Sequence, residues 1–177
     1  MSLKSTTEKY GGVAIALHWA TAVLIVILLV SGFRAAATID PIQKAAILRA
    51  HAPLGIAVLV LTLARLGWLL VDGKPAPVAG MPRLQRIAAK AVHLLLYVAV
   101  VLMAATGIGM FLLSGAGKVV FGAGGALPDF WQYQPRLEHF IAARVLIGLL
   151  VLHIGAALYH HFVARDGLIR RMLPGRT

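Results

Sequence analysis

His139 and His153 stand fourteen positions apart in one long apolar stretch, and His18 and His51 open two further stretches of the same kind. At about 100° and about 1.5 Å per residue, fourteen helical steps return to nearly the same face about 21 Å further along the axis. One helix can therefore present a histidine at each of two levels. A histidine inside a bilayer is costly unless its ring nitrogens are used, so an intramembrane ionisable group is a functional site by default. Neutral imidazole is a usual axial ligand of haem iron, and two of them make a six-coordinate iron suited to electron transfer more than to oxygen binding. Four histidines at two depths predict two such irons in two stacked b haems.

Ligands at such depths need helices that cross a membrane, and the composition supplies them. The chain has 177 residues, 60% hydrophobic and 13% charged, with a mean hydropathy of +0.86. That is far outside the range of a soluble domain. Four segments, roughly 13–33, 47–71, 87–113 and 139–164, are long and apolar enough to cross a hydrocarbon core of about 30 Å. The expected fold is an all-α membrane protein, a four-transmembrane-helix bundle enclosing two b haems, with short loops and one domain over 1–177. The first span follows a polar leader and lacks a convincing small-residue cleavage site, so it reads as a retained helix and not as a signal peptide. Cysteine is absent, which excludes disulfides, thiolate-held iron–sulfur clusters and covalent haem attachment, and leaves histidine to hold any haem.

The net charge of +11 does not point to nucleic acid, because the basic residues cluster at the ends of apolar spans and line no soluble face. Lys4, Lys9, Lys74, Arg83, Arg86, Lys90, Arg165, Arg170, Arg171 and Arg176 fall on one side of the membrane; Arg34, Lys44, Arg49, Lys118 and Arg136 fall on the other. The bias of about two to one makes the first side, with both termini, cytoplasmic. Spans one and three then run outward and spans two and four inward. His51 and His139 lie near the outer face, while His18 and His153 lie toward the inner one. Depth alone pairs His51 with His139 for an outer haem and His18 with His153 for an inner haem.

Three more histidines compete. His160 is seven positions past His153 on a similar face, but twenty-one residues from His139 is about 31 Å of helix, which separates two irons too far for useful electron tunnelling. His160 and His161 fall instead at the inner headgroup level, where His160 is either a proton-exchanging wall of a quinone pocket or an interfacial residue. His93 opens the third span at the inner level and is the alternative to His18. Arg65, fourteen residues beyond His51, either neutralises a haem propionate or snorkels to the interface, and Arg144, five residues after His139, is the corresponding candidate for the outer group.

Asp40-Pro41 and Asp72-Gly73-Lys74-Pro75-Ala76-Pro77 break the helical pattern. The segment 114–138, with Phe121, Phe130, Trp131 and Tyr133, reads as an interfacial aromatic belt or a lid on the outer surface. Gly55, Gly107, Gly109, Gly148 and Gly155 serve either close helix packing or the approach of a flat macrocycle beside His51 and His153.

These residues resemble the bacterial cytochrome b561 family over nearly the whole chain. The resemblance runs through Leu17-His18-Trp19, His51-Ala52-Pro53-Leu54-Gly55 with Arg65, His93-Leu94-Leu95-Leu96-Tyr97 and Gly107. It continues through His139 and His153 into His160-His161-Phe162, Arg165-Asp166 and Arg171-Met172-Leu173-Pro174. It implies a four-helix dihaem protein of the bacterial inner membrane, with His18, His51, His139 and His153 as ligands. It also implies superoxide oxidase activity, in which superoxide reduces the outer haem and ubiquinone in the lipid accepts the electrons from the inner one. Phe140 departs from the acidic residue more common in the family after the outer ligand. The outward cations would steer the superoxide anion. The alternative is an electron-conducting subunit that docks a partner dehydrogenase or hydrogenase and feeds quinone. A haem carrier fits poorly, since it needs an open or weak ligand position.

Overall fold

The computed structural model describes residues 2–78, 80–122 and 125–175, so Arg176 of the inward count lies outside the described residues. Four long helices dominate: α1 (Gly12–Ala37), α2 (Pro41–Val71), α3 (Arg83–Ser114) and, after the one-turn α4 (Ala116–Phe121) and a 3-10 turn (Phe130–Gln132), α5 (Gln134–Tyr159). No strand occurs among the described residues. All four long helices are long and apolar enough to cross a membrane.

The helices extend past the expected spans because their ends are polar but still helical. Only three residues separate α1 from α2, since Pro41 opens α2 at the position where its missing N–H costs nothing. Asp40 caps that end by accepting from the Ile42 N–H at 2.9 Å. At the far end of α3, Gly115 takes φ +68°, the left-handed conformation that glycine adopts without penalty. α5 passes directly into a π turn (His160–Ala164) and then into Arg165 at φ +51°.

α1 packs on α2 and α3 on α5, and α2 on α3 joins the two hairpins; among the described residues α1 and α5 scarcely touch. The buried core is small: Val58, Ala99, Val100, Leu146 and Leu149, flanked by Leu24, Ile25, Leu28, Leu96, Met103 and Leu150. Most large apolar side chains face outward, among them Val30, Phe33, Leu70, Leu112, Val151 and Ile154, as a lipid solvent permits.

At the end that carries His18, the leader, the loop after α2 and the tail are stitched together. Asp72 accepts from the Ser5 N–H (2.9 Å), the Ser5 hydroxyl (2.6 Å) and Trp68 Nε1 (3.0 Å). Burial pushes the Asp72 carboxyl up, but these bonds and the Gly73 N–H outweigh it and hold the group below the usual carboxylate range. Arg171 donates to the Ala76 carbonyl at 2.6 Å, the Tyr10 N–H to the Arg171 carbonyl at 3.2 Å, and Lys9 Nζ to the Gly175 carbonyl at 2.8 Å. Both ends of the described chain therefore lie on one side.

Candidate haem-binding site

One face of α5 carries the sequence-predicted ligands. His139, Leu146 and His153 follow one another at seven-residue steps, so all three point the same way. On α2 the same step runs through His51, Val58 and Arg65, and on α1 through His18, Ile25 and Gly32. Where these faces meet, two histidine pairs form. His51 and His139 have ring centroids 6.5 Å apart with planes at 68°; His18 and His153 are 6.2 Å apart at 71°. All four are half-buried.

These separations allow a test of the expected group. Two metal–imidazole bonds of about 2 Å, each continued to the middle of its ring, set the centroids of two axial histidines about 6 Å apart. Both pairs have that spacing. Beside them, backbone replaces side chain: a Cβ on Gly32 would lie 3.3 Å from His51 Cε1, and one on Gly107 would lie 3.5 Å from His139 Cε1. By contrast Gly148 and Gly155 are exposed, nine steps past His139 and two past His153, and so lie on the far side of α5. Gly109 meets Pro135, and nothing stands within 4 Å of a Cβ on Gly55.

The hydroxyls around the outer pair fix its protons. Ser31 Oγ lies 3.1 Å from the Leu28 carbonyl and 2.9 Å from His51 Nδ1. Thr106 Oγ1 lies 2.7 Å from the Leu102 carbonyl and 3.0 Å from His139 Nδ1. A hydroxyl has one proton, and a carbonyl can only accept. Each hydroxyl therefore donates to its helix and accepts from Nδ1–H, which leaves Nε2 of both rings with a free lone pair, the form that binds a metal.

The inner pair is built differently. Arg65 Nη1 lies 2.9 Å from His18 Nδ1; a guanidinium only donates, so His18 carries its proton on Nε2 while that contact lasts. The Arg65 guanidinium also stands 5.7 Å from the Tyr97 ring, and burial pushes the nearby Tyr10 phenol up, keeping it neutral. His93 is brought to the same place, 5.2 Å from the His153 ring centroid. It donates from Nδ1 to the Ala89 carbonyl at 2.6 Å, but it is exposed and sits closer to His153 than two ligands of one iron do. Three residues before Arg65, Thr62 is 2% exposed, and its Oγ1 is the single buried side-chain polar atom without a partner among the described residues. A buried hydroxyl left unmatched calls for a partner, and a polar group of a ligand is one that would serve.

The remaining expected residues are spread over both ends. Arg144 is exposed, donates to the Phe140 carbonyl at 3.0 Å and stacks 3.2 Å over the Phe140 ring. Arg136 stacks 4.3 Å from Trp131, and Arg49 donates to the Val120 carbonyl at 2.7 Å. Val120 and Ala116 are fully buried, so α4 of segment 114–138 is tucked into the protein. His160 donates from Nδ1 to Asp166 at 2.5 Å. His161, Phe162, Arg165, Gly167 and Arg170 line a polar pocket beyond it, and an apolar groove of 350 Å³ runs past Gly12, Ile15, Ala16, Trp19 and Pro174. Sequence reading missed Ser31, Thr106, Thr62 and Gly32, none of which carries a signal in an isolated apolar helix, and Tyr10 in the leader; Tyr97 it met only inside the motif that opens with His93.

Residues 9–175 match the family model described as prokaryotic cytochrome b561. Cytochrome b561 homolog 2 of Escherichia coli strain K12 is 32% identical, over 98% of this chain and 95% of the relative. Cytochrome b562 of Cereibacter sphaeroides is 30% identical, over 94% and 96%. A Yersinia pestis protein described as "Probable superoxide oxidase CybB" is 28% identical, over 94% and 97%.

Proposed function

The chain belongs to the prokaryotic cytochrome b561 family, a family of b-type membrane cytochromes, and we propose that it binds two haems b and carries electrons from superoxide to ubiquinone. The observation that carries this reading is the recurrence, at two levels of α5, of a histidine pair with the centroid spacing of two ligands on one iron. Haem held by two imidazoles supplies a one-electron couple between ferric and ferrous iron. Everything else is the work of the chain.

His51 and His139 hold the outer group with their Nε2 atoms already free, and Gly32 and Gly107 keep its flanks open. His18 and His153 hold the inner one. Ligation through His18 Nε2 requires Arg65 to turn off Nδ1, and a propionate is the anion to which it turns, with Thr62 a second donor on the same helix face. Arg144 would serve an outer propionate only by leaving Phe140. Arg34, Lys44, Arg49, Lys118 and Arg136 all stand at the end that carries His51 and His139, where they raise the local concentration of a small anion. Two superoxide anions deliver two electrons and leave as dioxygen; ubiquinone takes both with two protons. At the other end, His160 donates a hydrogen bond from Nδ1–H to Asp166, which leaves Nε2 to take up a proton from water and pass it to quinone oxygen. The apolar groove beside Trp19 suits a quinone in the lipid. In this reading the protein lies in the bacterial inner membrane with both termini cytoplasmic.

A superoxide pulse on the oxidised, purified protein tests the scheme. Rapid change in haem absorbance, reversed on adding ubiquinone, is the expected result. Haem that exchanges electrons with ubiquinol but ignores superoxide would make the chain the membrane conductor of a partner dehydrogenase or hydrogenase.

A further inference from the structure

We propose that Ser31 and Thr106 are positioning residues that lock the outer histidines as ligands and hold the outer iron at the lower of two reduction potentials. The inference rests on the two-haem reading and adds an energetic difference between the two sites.

Both hydroxyls spend their proton on the carbonyl of their own helix, at Leu28 and Leu102, and so act only as acceptors toward His51 and His139. Thr106 Oγ1 also reaches the Met103 carbonyl at 3.2 Å, a second outlet for the same proton. An acceptor on Nδ1–H fixes the tautomer and ring orientation of a metal-bound histidine and makes its ligating nitrogen more basic. A more basic ligand stabilises ferric over ferrous iron and lowers the potential. This device acts on both outer rings at once. At the inner pair, His18 Nδ1 faces only the Arg65 guanidinium, a donor, and among the described residues neither His18 nor His153 has a side-chain acceptor on Nδ1. The same fold thus biases the electron toward the inner pair without any difference in ligand type.

The two outer contacts come from different hairpins: Ser31 on α1 reaches His51 on α2, and Thr106 on α3 reaches His139 on α5. A matched result from both therefore does not trace to one local packing defect.

The test is a potentiometric titration of the purified holoprotein, followed by haem absorbance, with haem per chain counted in each variant. Thr106→Val keeps the shape and removes the acceptor; Thr106→Ser keeps the acceptor; Ser31→Ala and Ser31→Thr form the same contrast on α1. Thr106→Val and Ser31→Ala are each expected to move the lower midpoint upward and leave the upper one in place, with wild-type behaviour in Thr106→Ser and Ser31→Thr. Each tenfold change in the one-electron equilibrium is read as about 59 mV. Loss of one haem in Thr106→Val, retained in Thr106→Ser, also supports the assignment. Unchanged midpoints in Thr106→Val and Ser31→Ala variants that keep both haems overturn it. So does movement of the upper midpoint alone, or equal haem loss in Thr106→Val and Thr106→Ser. A wild-type chain with fewer than two haems would overturn the two-haem reading itself.

Discussion

His18 and His93 both stand against His153, and removing each in turn separates ligand from neighbour. The 6.2 Å spacing favours His18, while the 5.2 Å approach of His93 is that of a ring packed on the ligand edge. His18→Ala is expected to drop haem content from two per chain to one, and His93→Ala to leave it at two; pyridine haemochrome counts read both. Retention of two haems in His18→Ala would transfer the ligand role to His93. The four histidines of the two pairs were legible because ionisable groups in apolar runs stand out and the fourteen-residue step is arithmetic. Ser31 and Thr106 were not legible, since hydroxyl residues are ordinary in membrane helices and acquire a partner only once the register of two helices is known. For Arg65 the spacing pointed to its level, but its contact with His18 depends on how α1 meets α2.

Between the two histidine levels each contributing helix places an apolar residue at the midpoint of its seven-residue steps: Ile25 on α1, Val58 on α2 and Leu146 on α5. Val58 and Leu146, 4% and 3% exposed, belong to the core shared with Ala99, Val100 and Leu149. This layer lies between the two histidine pairs along the helix axes. Leu146→Ala is expected to destabilise the protein by about 2–5 kcal/mol through the cavity it leaves, seen as a lower melting temperature, with both haems retained at saturating haem. The helices themselves were readable from hydropathy, but their ends were not: Gly12–Ala37 and Pro41–Val71 overrun the apolar segments because Arg34 and Lys44 remain helical at the headgroup level. Glycine roles were also misplaced by sequence proximity. Gly155 stands two residues from His153 yet on the opposite face, while Gly32, nineteen residues from His51, lies against its ring.

For the protein in its membrane, charge decides both encounter and stability. Replacing Arg49 and Lys118 together by Gln is expected to slow the reaction with superoxide and flatten its decline with salt, because the outer end then attracts the anion less. An unchanged rate and salt slope would remove those two cations from the steering. The chain has only six acidic residues, so acid sensitivity has few sources. Asp72 has a folded value below the usual carboxylate one; its contribution is full above about pH 4 and is lost as pH falls through the lower folded value. Thermal stability should hold down to that range and then drop. Asp72→Asn should lower the melting temperature at neutral pH and blunt the acid decline; an unaltered acid limb would show that the decline arises elsewhere. That role was illegible in the sequence, where Asp72 looked like a loop residue, because it needs the leader and the end of α2 in one place. The bonds of Tyr10 and Lys9 to Arg171 and Gly175 also bear on biogenesis. A ribosome makes Tyr10 and Lys9 before any span and Arg171 and Gly175 after all of them, so this part of the knot can close only when the fourth helix has inserted. A chain stalled with three spans can join Ser5 to Asp72 but leaves Tyr10 and Lys9 without their tail partners, and that stretch of the leader stays open to proteases of the compartment that holds it.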